Sequence, residues 1–210
     1  MSASSSLLPR AEPPRPPRKR AADRVEQMLD IADRQINGLR AAAVSMQAVG
    51  DEAKVSRALV YAYFPDQYRL IDAVLARHVT ALRDAGIDRA AAGGDAVQRV
   101  SAVAAIYFAH ALAHGATLEY ILRDAGVVRQ LDGTAIAFRA RLLRALSRVL
   151  RLELQLPAHD ALVFVQLLEV IPGESARLVR EGQMQQGEAA ELTERLIHSS
   201  IEALRPRRSR

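Results

Sequence analysis

The chain has 210 residues, half of them hydrophobic and a quarter charged, which suits one folded body or a small domain joined to a larger one. It contains no cysteine, so a disulfide framework and thiolate metal sites are excluded, and a reducing compartment is the simpler setting. The net charge of +5 sits at the ends: residues 1–22 carry +4 and residues 205–210 another +4, leaving −3 between them. Such tails can neutralise phosphates or anionic lipid, or serve solubility alone.

The first twenty residues are rich in Pro and Ser and then basic, so residues 1–22 read as a disordered arm. They lack the apolar stretch of a signal peptide, and no apolar run approaches the ~20 residues of a membrane span. A cytoplasmic location with no membrane partner is expected. Asp23 is placed to cap a first helix, with Glu26 three residues on as in a capping box. Val25, Leu29, Ala32, Ile36 and Leu39 recur at helical spacing, and Asn37-Gly38 reads as a stop. Ser45 caps a short helix to Glu52, Lys54-Val55 forms a turn, and Ser56 caps another helix to about Phe64. Pro65-Asp66 ends that helix and caps a fourth, whose face carries Leu70, Ile71, Val74, Leu75, His78, Val79 and Leu82.

Gly93-Gly94 is a break, and Asp95 caps a long helix striped with Val97, Val100, Ala104, Tyr107, Ala111 and His114. Gly115, Gly126 and Gly133 bound a shorter helix, and a long one follows over about residues 134–153. Pro157 introduces a helix from Ala158 that Pro172 should kink or end. Gly187 opens the last helix, with Leu192, Leu196, Ile197, Ile201 and Leu204 along it. There is no convincing strand and no internal repeat. The pattern predicts an all-α protein of about nine helices.

Two short capped helices joined by a tight turn match a helix-turn-helix, whose second helix would enter a DNA major groove. Its exposed side would carry Arg57, Ala58, Tyr61 and Ala62, with Leu59 or Val60 and Phe64 buried. Arg57 lies at the end from which a side chain reads guanine bidentately. Ser45, Ser56 and the helix starts can hold phosphates. Four of the nine aromatic residues, Tyr61, Tyr63, Phe64 and Tyr68, fall within eight positions. Tyr61 and Tyr63 can pack a ring on the unit while a hydroxyl reaches phosphate; for Tyr63 a purely core role fits equally well.

The run SMQAVGDEAKVSRALVYAYFPDQYRLIDAVL resembles the DNA-binding segment of the tetracycline-repressor-type (TetR) regulators. Ser45, Val49-Gly50, Val55-Ser56, Tyr61-Ala62-Tyr63-Phe64 and Leu70-Ile71 take the places of that family's motif residues, over about residues 24–78. Three positions depart from it. Lys54 stands for a usual Gly, Gln67 for a phosphate-binding Lys, and ungapped alignment puts Arg40 at the Gly after the first helix. The resemblance implies a helix-turn-helix DNA-binding domain at 23–65 and a larger helical ligand-binding and dimerisation bundle at 66–204. Residues 205–210 are left as a basic tail. It further implies a homodimer on a near-palindromic double-stranded DNA operator, and a small-molecule effector that releases it. Residues 23–80 hold seven cations against eight carboxylates, so Arg18, Lys19 and Arg20 in the arm should supply much of the phosphate contact.

In the larger part, Tyr107, Phe108, His110, His114, Tyr120, Phe138, Leu142 and Phe164 are candidates for an apolar effector cavity with a few polar tips. Ordinary core packing is the other reading of each. His110 and His114 stand one turn apart without a third metal ligand at matching spacing, so no metal and no cofactor is expected. The run 161–171 is apolar on nearly all sides and should be buried all round. That points to a two-fold interface of Phe164, Leu167, Leu168, Ile171, Leu196, Ile197, Ile201 and Leu204. No phosphate loop, Gly-x-Ser-x-Gly or metal cluster appears, so no enzyme is expected. The alternatives are a dimeric small-molecule-binding module of the same fold without specific DNA readout and, more remotely, an all-α enzyme using His110, His114 and Tyr107.

Overall fold

The computed structural model describes residues 21–206. Among them the chain is all helix and turn, with no strand. Eleven helices form, against about nine expected. The extra ones are the four-residue helices α5 (Ile87–Ala90) and α8 (Ala125–Val128), in segments that read as breaks. Short polar connections hide such single turns, yet α5 buries Ile87 completely.

The front unit is α1 (Ala21–Leu39), α2 (Met46–Ala53) and α3 (Arg57–Tyr63). Helix is already formed at Ala21, so Asp23 lies in the first turn of α1 and not ahead of it. Ser45 and Ser56 cap α2 and α3, each hydroxyl accepting from a backbone N–H of the next turn, Ala48 at 3.2 Å and Leu59 at 3.2 Å. Gly50 lets α2 and α3 close together. A Cβ there would stand 3.3 Å from the Val55 carbonyl and 3.4 Å from Val60. Met28, Ile31, Ile36, Val49, Val60 and Phe64 fill the small core between these helices.

Lys54 closes α2 in the left-handed region, with φ 57°. Arg40 does the same after α1, with φ 52°. These are the two positions where family resemblance calls for glycine, and both turns keep the conformation that glycine serves.

Asp66 caps α4 (Gln67–Asp84), accepting from Arg69 N–H at 2.9 Å. Leu70, Ile71, Val74, Leu75, Val79 and Leu82 of α4 are buried on one face, as the periodicity requires. The body is α6 (Ala96–His114), α7 (Thr117–Arg123), α9 (Thr134–Leu154), α10 (Ala158–Arg180) and α11 (Gln186–Ala203), with α6 packed on α9, α10 and α11. By length and composition α6 could cross a membrane, but its apolar residues face those neighbours. A capping box of Asp95 and Gln98 starts it.

One expectation for α10 needs correction. The helix neither stops nor divides at Pro172, which is buried inside it. A missing N–H removes one hydrogen bond, and packing of both halves against α6, α9 and α11 outweighs that loss. Within the single chain, Ala161, Val165, Leu168 and Pro172 of α10 face the core, while Val163, Leu167 and Val170 face out.

The Lys54 conformation gives a direct stability test. Lys54→Gly removes a Cβ from a left-handed position and should stabilise the fold by about 1 kcal/mol. A raised urea midpoint with an unchanged slope would show it; a lowered midpoint would mean the turn is not strained.

Candidate functional site

The outward face of α3 carries Arg57, Ala58, Tyr61 and Ala62, all exposed. The Arg57 guanidinium lies 5.3 Å from the centre of the Tyr61 ring and donates to its hydroxyl at 3.4 Å. The stack holds a flexible cation above the helix at little entropic cost. Lys54 and Arg57 have no carboxylate partner among the described residues, whereas Arg34 pairs with Glu52 at 2.5 Å and Arg69 with Asp72 at 3.9 Å. Ser45 and Ser56 use their oxygens as acceptors in capping, so each keeps its O–H free to donate outward. Tyr63 is half-buried against the core. Arg18, Lys19 and Arg20 lie outside the described residues.

A cavity of about 360 Å³ lies in the body between α4, α6, α7, α9 and α10. Leu75, Val79, Val103, Leu118, Phe138 and Leu146 are among its apolar walls. Of the residues expected there, Tyr107, Phe138 and Leu142 line it. Phe108 is one step round α6, packed with Ala111, Ala176 and Ala189 against α10 and α11. Phe164 packs half-buried on the main core. His114 and Tyr120 border a separate cleft with Asn37, Arg40, Arg177 and Arg180. One end of the cavity is polar. There the Tyr107 hydroxyl donates to Glu119 at 3.4 Å, and the Arg139 fork holds both oxygens of Glu169 at 2.8 and 2.6 Å. Burial, and then the negative charges of Glu119 and Glu169, raise the Tyr107 pKa above the usual phenol range.

His110 belongs to neither wall. It joins a buried polar joint between the front unit and the body, which the spacing of the histidines does not reveal. His78 of α4 stands between two partners, its Nδ1 3.0 Å from His110 Nε2 and its Nε2 3.2 Å from Asp33 of α1. Thr117 of α7 also donates to Asp33, and Arg77 reaches its other oxygen at 3.4 Å. One turn along α1, the Asn37 amide donates to Thr117 at 2.6 Å and to the His114 carbonyl at 3.1 Å, and accepts from Ala116 N–H at 2.9 Å. Burial alone would raise the Asp33 carboxyl, but bonds from His78 and Thr117 and the charges of His78 and Arg77 hold it below the usual range. The His114 ring lies tilted beside His110, 4.6 Å between centres, and edge-on to His78 at 5.6 Å. The described residues form no group able to hold a metal ion.

Burial, helped by His78 and His114, pushes His110 down to about 4 from 6.5. Its neutral form is thus favoured in the fold, and the unfolded chain takes up this proton first. Stability should therefore be full above about pH 7 and fall as pH drops from about 6.5 to 4, by up to about 3 kcal/mol. The lowered Asp33 acts further down, its contribution lost as pH falls through its folded value. Urea melts across this range should show the fall for the native chain and a flatter profile for His110→Gln.

Residues 41–74 match the family described as bacterial regulatory proteins, tetR family. A comparison with curated protein sequences gives no match. Among solved structures, a TetR-like transcriptional regulator from Rhodococcus sp. RHA1 superposes with a TM-score of 0.67 at 21% identity, covering 88% of this chain and 99% of its own. The TetR family transcriptional regulator PfmR from Thermus thermophilus gives 0.62 at 16% identity, with 84% and 97% covered. A tetR-family regulator from Streptomyces coelicolor gives 0.56 at 24%, with 89% and 82% covered. At these identities the superpositions establish a shared fold, and the sequence match falls on the turn between α2 and α3 with its flanking helices. Residues 41–74 thus carry the sequence pattern of that family's segment, and the chain shares the fold of these regulators.

Proposed function

We propose that the chain is a cytoplasmic DNA-binding transcriptional regulator, a homodimer whose α3 helices read the two halves of a near-palindromic operator. The observation that carries this reading is the outward face of α3, where Arg57 stacks on Tyr61 between two capped helix starts, in the segment that matches the family. Arginine at the start of such a helix reads guanine edges, and the serine O–H groups and Tyr61 reach phosphates. The front unit has little net charge of its own, so Arg18, Lys19 and Arg20 supply long-range attraction to the backbone.

The dimer reading rests on a stripe of exposed apolar side chains. Val163, Leu167 and Val170 recur at 3–4 residue spacing on α10, with Leu196 on the adjoining α11 and Leu204 just after its end. Leu167 is 64% exposed, which is costly for a leucine left in water. Leu168, Ile197 and Ile201 are consumed by the protomer's own core, so the interface is built from their outward neighbours. Repression relieved by a small effector in the 360 Å³ cavity completes the reading.

Selection from random-sequence duplex DNA tests it. The native chain should enrich a near-palindrome. Arg57→Ala should lose about 1–3 kcal/mol of discrimination at one base pair of each half-site while keeping its salt-dependent background. Enrichment without symmetry, or none at low salt, would favour a module without specific readout. Leu167→Glu should shift the chain to monomer in sedimentation and weaken operator binding with it; an unchanged dimer would place the interface elsewhere.

A further inference from the structure

The polar end of the cavity has an inside and an outside. Its carboxylates are the more enclosed members of their ion pairs: Glu119 is 23% exposed against 66% for Arg123, and Glu169 33% against 37% for Arg139. Arg139 spends its fork on Glu169, using both oxygens at hydrogen-bond distance. A ligand carboxylate would have to displace Glu169 to reach it. Glu119 is differently placed. Its contacts are long, 3.4 Å from the Tyr107 hydroxyl and 3.6 Å from Arg123, and neither is a strong charge-assisted bond. It is seated against the α10 backbone at Gly173, where a Cβ would stand 2.0 Å from its Oε1. A partly enclosed carboxylate with two weak partners can take a short bond from a donor, and the Tyr107 oxygen beside it can accept a second N–H.

Resting on the reading of this cavity as the effector site, we propose that it takes an apolar amine, its protonated nitrogen donating to Glu119 and Tyr107 and its hydrocarbon body lying among Val79, Val103, Leu118, Phe138, Leu142 and Leu146. A neutral alcohol would satisfy the same acceptors without the charge. A carboxylic acid would bring a third negative charge beside Glu119 and Glu169. The preference order is therefore amine, then alcohol, then acid.

Titration calorimetry of the full chain with octylamine, octanol and octanoate at pH 7 tests this order. Octylamine should bind most tightly, and Glu119→Gln should weaken it by about tenfold or more while leaving octanol within about threefold. Val103→Trp, which fills the cavity, should abolish all three, and a cooperative thermal transition in each variant shows that the fold persists. If octanoate binds best, or Glu119→Gln leaves the amine preference intact, the amine assignment fails while the cavity remains a ligand site. If none of the three binds, or all bind undiminished to Val103→Trp, the cavity reading fails and the amine assignment with it.

Discussion

A carboxylate on the first helix holds this molecule together across its length. Asp33 is half withdrawn from water; its charged and hydroxyl partners lie on other helices, His78 and Arg77 on α4 and Thr117 on α7, beside a longer bond at 3.3 Å from Asn37 of its own helix. Separating a partly buried charge from its partners is costly, which ties α1 to α4 and α7. Asn37 adds a second set of bonds at the α6–α7 junction. The helix-turn-helix is thus tied to the body by this polar joint as well as by the apolar core it shares with α4.

Adjacent residues of the same helices serve the joint and the cavity. On α4, His78 faces Asp33 and Val79 lines the cavity. On α6, Tyr107 lines the cavity and His110 meets His78 one turn later. On α7, Thr117 bonds Asp33 while Leu118 and Glu119 form cavity wall. On the proposed effector reading, a molecule that spread or tightened the cavity would act on helices bonded to α1, where His78 and His110 pack edge to face with 5.1 Å between ring centres. A ligand acts through such a path only by binding two arrangements with different affinity. The short covalent link from α3 through Pro65 to the Asp66 cap of α4 gives the same helices a second hold on the recognition surface.

Local chemistry was legible in the sequence. Ser45, Ser56, Asp66 and Asp95 cap where their positions before apolar runs require, and the fold class follows from helical periodicity alone. What escaped is whatever depends on rotation or distance. Tyr107 and Phe108 are consecutive, but about 100° of helix separates cavity wall from α10–α11 packing, and spacing cannot say which is which. His78 and His110 lie 32 positions apart, and Asp33 and Thr117 84 apart, so the joint has no local signature. Leu167 and Leu168 are equally apolar, and only the orientation of α10 decides that one faces out and the other in.

Native-state hydrogen exchange bears most directly on whether α1 belongs to the body. Amides of α1 around Asp33 and Asn37 should open with α4 and the α6–α7 junction at one shared free energy, and Asn37→Ala should lower that protection in α1 and α7 together. If α1 instead exchanges with α2 and α3 at a free energy of their own, untouched by Asn37→Ala, the joint does not couple the recognition unit to the body and the account of its control fails.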